Sequence, residues 1–135
     1  MQKKYIISLI ILFVVILIIK YCNWGYITIQ DNPSKNLNDT LCVLIEDGFD
    51  NDFLSIGINN KIIFAKNVTT EKSTGVAYDF VPITINKIVK EHIMRVKCGL
   101  FQLKNDMNLK YKYLIITKHF WGLQLVYRNN SPSYD

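Results

Sequence analysis

Hydrophobic and polar positions change rhythm twice along the chain. From Tyr5 to Ile19, fifteen positions pass without a charge, and only Ser8 is polar. As a helix that run covers about 22 Å at about 1.5 Å per residue, short of a hydrocarbon core of roughly 30 Å. Lys20 has the reach to snorkel, which lets Tyr21, Cys22 and Trp24 add a turn. Trp24 and Tyr26 then stand where interfacial aromatic rings collect. Residues 1–24 therefore read as a membrane anchor, with lipid around residues 5–22. Residues 25–40 turn polar and lose any period, which reads as a tether. Within it, 26–29 fits either a first strand or part of the stalk.

From Leu41 onward the rhythm is two. Short β-branched and aromatic runs are cut by turn residues. The runs are "LCVLIE" (41–46), "DFLSIGI" (52–58), "KIIFAK" (61–66), "FVPITIN" (80–86), "EHIMRVKC" (91–98), "YKYLIIT" (111–117) and "GLQLVYR" (122–128). Asn59 and Asn60 join the second and third as a hairpin, because Asn tolerates positive φ. Pro82 has no N–H for a ladder, so its strand belongs at an edge or a bulge. Seven strands with short turns and no long amphipathic helix predict an all-β domain over 41–130 with a tail at 131–135. The expected form is a small antiparallel β-sandwich, immunoglobulin-like or jelly-roll-like, behind one transmembrane helix.

A basic start followed by an apolar run also opens a cleaved signal peptide, but the small residues that precede a cut are missing. A lipoprotein signal needs a small residue before the modified Cys, and Tyr21 precedes Cys22. An uncleaved anchor fits better. Lys3, Lys4 and the α-amine on one flank, against Lys20 and Lys35 on the other, favour a cytoplasmic N-terminus and an exported domain.

The net charge of +5 changes the picture little. Lys3, Lys4 and Lys20 account for three of those charges, and the rest is too small for a nucleic-acid footprint. The remainder is lopsided: acidic from Asn23 to Asp79, basic from Phe80 to Asp135. Paired and solvated strand faces explain that split most simply.

The densest charge cluster is "LIEDGFDNDFLSI" (44–56). Asp47, Asp50 and Asp52 are hard oxygen donors of the type calcium takes. The spacing departs from an EF-hand, since Gly48 comes early and no Glu closes the loop. A second loop would have to contribute, and Asp79 and Asp106 are the candidate donors. The competing reading is a Gly-containing turn in which Asp and Asn cap backbone amides. No other cofactor is indicated. Cys42 and Cys98 allow a cross-sheet disulfide outside the cytoplasm, or a buried free thiol at Cys98. His92 begins a strand and His119 sits in a turn, and no nucleophile motif accompanies them. Tyr113, Phe120 and Trp121 are candidate binding aromatics for a protein or a glycan, with core filling as the alternative. Two sequons, "NDT" (38–40) and "NVT" (67–69), matter only in a glycosylating secretory pathway.

The run "DGFDNDFLSIGINNKIIFAKNVTTEKSTGVA" (47–77) resembles small exported bacterial β-sandwich domains of uncharacterised role. In those a strand–NN/NG–strand hairpin precedes a "TT…G-A" connection. The resemblance implies a sandwich and an exported setting, and it brings no catalytic residues. The functional expectation is a membrane-anchored, non-enzymatic binding or assembly module. The alternatives are an accessory subunit of a membrane complex and, last, a small hydrolase.

Overall fold

The computed structural model describes residues 2–21, 24–35, 39–86 and 88–131. Helix α1 (Gln2–Tyr21) opens the chain and is apolar on every side. Its window Gln2–Ile19 has a mean hydropathy of 2.3, long and apolar enough to cross a membrane. A signal sequence shares that character. The Lys20 side chain, expected to snorkel, and Cys22 are not among what the structure describes.

Nine strands follow among the described residues: β1 (Gly25–Ile29), β2 (Thr40–Ile45), β3 (Asp52–Ile58), β4 (Lys61–Val68), β5 (Tyr78–Thr84), β6 (Ile93–Cys98), β7 (Phe101–Asp106), β8 (Tyr113–His119) and β9 (Gly122–Arg128). They form a five-stranded sheet, β1-β9-β8-β2-β5, and a four-stranded sheet, β4-β3-β6-β7. The arrangement is sandwich-like and mostly β. Alternation decides which side chains meet. Leu41, Val43, Ile45, Leu114, Ile116, Leu123 and Leu125 of the larger sheet face Leu54, Ile56, Met94, Val96, Cys98 and Leu103 of the smaller one, all buried.

The expected purely antiparallel pattern needs correction. β1 runs parallel to β9, and β2 runs parallel to β8. Neither pair is joined by a hairpin. Each is brought together by long connections, which free the chain to arrive in either direction. The stretch 26–29 is the first strand, so sheet structure begins at Gly25, and β7 joins the seven expected strands as well.

Two local expectations are realised in detail. Asn59 and Asn60 take φ of 48° and 69°, as a two-residue turn with both centres at positive φ requires. The Asn59 side chain then accepts from Ile93 N–H and donates to Glu91 C=O, which ties the turn to β6. Pro82 sits on β5, an edge of the five-stranded sheet. Its partner strand shifts register between Val43 and Ile45.

Cys98 points into the core, whereas Cys42 alternates with the fully buried Leu41 and Val43 and so points to the far side of its sheet. Both are thiols, and the sheet itself separates them. Burial pushes the Cys98 thiol above its usual range, the charge of Asp52 adds to this, and Lys118 opposes it.

One buried polar node joins the sheets. Tyr127 O–H accepts from Asn105 Nδ2 at 2.8 Å and from Asn108 N–H at 3.3 Å. The Asn105 amide nitrogen is thereby paired at an inward position on β7, while its buried Oδ1 has no partner among the described residues. Burial holds the Tyr127 phenol above its usual range, partly offset by those two donors.

The strand directions give the domain two ends. At the end where α1 joins lie Trp24, the β2–β3 loop, the connection 69–77, the Gly99–Leu100 turn and the Phe120–Trp121 turn. The far end carries Asn59–Asn60, the β5–β6 connection and the β7–β8 connection.

Candidate functional site

The outer face of the four-stranded sheet holds a recess with mixed chemistry. β3 and β6 pair so that Ser55 lies opposite Lys97 and Gly57 opposite Arg95. On the other side of β3, Gly57 pairs with Ile62 of β4. With no side chain on Gly57, a hollow of about 190 Å³ opens, lined by Ser55, Gly57, Asn60, Ile62, Arg95 and Lys97. One wall is cationic and the other aliphatic. Ile62 is 67 % exposed, and Ile63 and Phe53 extend the apolar surface along the same strand pair. β4 is also an open edge, with Lys61, Lys66 and a register shift opposite Ile56–Gly57. Lysines and bulges on an edge discourage indiscriminate pairing while leaving side chains available to one partner.

The acidic loop is a clasped turn. Asp47 Oδ1 accepts from Gly48 N–H at 2.8 Å, and Asp52 Oδ2 accepts from Asp50 N–H at 2.9 Å. Two threonines stitch it from the connection after β4. Thr70 Oγ1 accepts from Phe49 N–H and donates to Glu46 C=O, and Thr69 Oγ1 accepts from Asn51 N–H. Phe49 is buried and anchors the loop apex. The "TT" of the 47–77 run thus has a physical task, and so does its hairpin.

Asp52 also takes a 2.7 Å ion pair from Lys118 Nζ. Partial burial pushes the Asp52 carboxyl up, but the Lys118 hydrogen bond, the Asp50 amide and the Lys118 charge together hold it below its usual 3.8. A depressed carboxyl contributes stability above its unfolded value and loses it as pH falls through the folded one. Asp52→Asn is therefore expected to flatten the loss of stability below about pH 4. A double-mutant cycle with Lys118→Met should return a coupling of about 0.2–1 kcal/mol. Acid titration of the unfolding midpoint checks both, and an unchanged acid limb in the variant would count against the pairing.

Asp47, Asp50 and Asp52, the donors considered for calcium, share this loop, but the Asp47 and Asp52 carboxylates are turned onto backbone amides and Lys118. Of the two further donors considered, Asp106 pairs with Ile93 at the far end of β6, five residues or about 17 Å from the Cys98 end that meets β3 near Asp52. The Asp79 side chain lies outside the described residues. Among the described residues no group of three or more His, Cys, Asp and Glu gathers as a metal site.

The aromatic candidates divide. Trp121 stacks on Tyr26 at 5.1 Å and on His119 at 4.8 Å, both nearly parallel. Tyr26 is on β1 and His119 on β8, to either side of β9. The indole therefore stands between two rings at the strand spacing of about 4.8 Å, with both faces covered. Phe120, at the same turn, is 94 % exposed. Tyr113 is half-buried at the other end of β8. His119 Nε2 is held by Gln124 Oε1 at 2.9 Å, and His92 Nε2 by Asn86 C=O at 3.0 Å. His92 lines an open hollow of about 430 Å³ with Glu91 and Asp106, but its ring nitrogen is committed to a backbone carbonyl there.

The recess at Gly57 has no contiguous signature, because its walls come from three strands. Its single sequence signal is Gly57 itself, a glycine interrupting an otherwise alternating strand. Comparison of the chain with protein-family models, with curated proteins and with solved structures finds no match. The resemblance of residues 47–77 rests on its hairpin and its "TT" connection alone.

Proposed function

We propose that this protein is a membrane-anchored, non-enzymatic binding or assembly module. Helix α1 holds it in the bilayer with the N-terminus cytoplasmic. The sandwich, a variant of the immunoglobulin-like or jelly-roll-like type with two parallel strand pairs, lies outside. Its outer four-stranded face takes a protein partner that offers an acidic group beside an apolar side chain. The carrying observation is the hollow at Gly57, with Arg95 and Lys97 on one wall and exposed Ile62 on the other. Protein is favoured over glycan because Trp121, the natural platform for a sugar ring, already has both faces covered within the chain.

The test uses the full chain in its native membranes, with a benzophenone amino acid at position 62. Illumination is expected to give a discrete protein adduct. Arg95→Glu with Lys97→Glu should weaken its formation about tenfold or more, as loss of an interfacial arginine anchor commonly does. An adduct pattern indifferent to the charge reversal would sink the assignment of this face.

A further inference from the structure

The end of the sandwich where α1 joins is not uniform. Two hairpin turns on the β1–β9–β7 side carry large apolar side chains at their apices. Leu100 is 73 % exposed at the β6–β7 turn, and Phe120 is 94 % exposed at the β8–β9 turn. On the β2–β4–β5 side, the same end carries the acidic loop with exposed Asp47 and Asp50, and the polar connection 69–77. Water-facing turns do not call for Leu and Phe at their tips. The far end carries mostly Asn, Lys and Asp at its turns, with Ile88 exposed in the β5–β6 connection and Ile62 exposed just past the Asn59–Asn60 turn.

What fixes the depth of these tips is α1. Trp24 lies just beyond the helix, and four contacts tie it down, one of them the Leu123 N–H of β9 donating to its carbonyl at 2.8 Å. Its ring Nε1–H donates to Ile19 C=O at 3.3 Å, its amide donates to Gln102 C=O at 2.9 Å, and its ring lies 6.3 Å from that of Phe101. The end of the helix at Ile19 is thereby linked through Trp24 to the β6–β7 hairpin. Ile16 and Ile19 line one open hollow together with Lys97, Gly99, Leu100, Phe101 and Gln102. Leu100 therefore lies level with side chains that belong to the apolar span. The span Gln2–Ile19 is about 27 Å long at about 1.5 Å per residue, close to the thickness of a hydrocarbon core. Whatever depth Ile16 and Ile19 have, Leu100 shares.

We infer that the Leu100 and Phe120 hairpin tips enter the lipid interface beside the helix, as a second membrane contact. The domain is then not swung on a free tether. It is seated on its β7–β9 side, with the acidic loop tilted into water. This rests on the reading of α1 as a retained membrane anchor. Apolar faces that lie in the interface sink about 5–10 Å into the headgroup and acyl boundary, a depth that two hairpin apices reach without burying backbone ladders. Lys97, on the same hollow, can stay at headgroup level while its methylenes line the apolar side. The seat also fixes the outer face of the four-stranded sheet upright to the membrane, because β6 runs from that face down to the Leu100 turn.

The experiment places a benzophenone amino acid at position 10, 88, 100 or 120 of the full chain, reconstituted in phosphatidylcholine–phosphatidylglycerol nanodiscs. Lipid adducts are then read by mass. Positions 100 and 120 are expected to yield about tenfold more lipid adduct than position 88, the partition that burying one large apolar side chain supports. The same probes in native membranes should again give lipid. Adducts at position 10 with only background at 100 and 120 overturn the proposal and leave the anchor standing. A mature chain whose mass lacks the helix overturns the anchor and the proposal with it. Protein adducts at 100 and 120 in native membranes, without lipid adducts, overturn the proposal in favour of a docking surface for a partner.

Discussion

Leu125→Ala is expected to lower the stability of the domain by about 2–5 kcal/mol, the range for deleting a buried leucine and leaving its cavity. Leu125 is fully buried at the middle of β9, the strand flanked by β1 and β8. It pairs in register with Ile27 on one side and Ile116 on the other, and its side chain points at the smaller sheet. Three ordered strands surround it, so the site has little room to collapse. In a domain of about 100 residues each kcal/mol moves the melting temperature by roughly 4–8 °C, so the shift should be plain in a thermal scan. Val126→Ala, one residue on and facing outward, serves as the contrast and should cost much less. A denaturant midpoint for Leu125→Ala within the error of the parent would mean that the two sheets do not share the core described above.

Much of this core was readable from the chain, because alternation is a local signal. The runs at 52–58 and 122–128 place Leu54, Ile56, Leu123 and Leu125 on one side in sequence and in structure alike. Asn59–Asn60 and Pro82 carry their backbone constraints with them, so their turn and edge positions follow from residue chemistry alone. What escaped depends on distant segments. β7 reads as polar because its inward Asn105 finds the partner for its amide nitrogen in Tyr127, more than twenty residues away. The two parallel pairs depend on how long connections return, which no short pattern records. The recess beside Gly57 is assembled from β3, β4 and β6, and the tips Leu100 and Phe120 look like ordinary turn residues until both are found at the end of the sandwich where α1 joins. The acidic cluster shows the reverse case. Its composition suggested a ligand site, while its threonine clasp and Lys118 partner are contributed by residues 69–70 and 118.

Gly25→Ala is the sharpest test of how helix and domain are joined. Gly25 has φ of 154°, and a Cβ there would fall onto the carbonyl oxygen of Leu123, its register partner on β9. The clash is with backbone, so no side-chain rotation relieves it. An unfavourable backbone region alone costs about 1–3 kcal/mol, and the steric conflict adds to it. The least costly escape is for β1 to leave β9, since β1 is an edge strand held on one side only. The expected outcome is local. Amides of 26–29 lose hydrogen-exchange protection, the Tyr26–Trp121 stack opens, and the segment between α1 and β2 becomes a protease target. The rest of the sandwich keeps its cooperative melt. Gly57→Ala is the matched control, because its Cβ would meet only ordinary contact at 3.4 Å from Lys61 oxygen. If Gly25→Ala retains full protection across 26–29, β1 is not the strap that seats the domain against its helix. If instead protection there is lost and lipid adducts at positions 100 and 120 fall with it, the parallel β1–β9 pair is what transmits the position of the anchor to the domain.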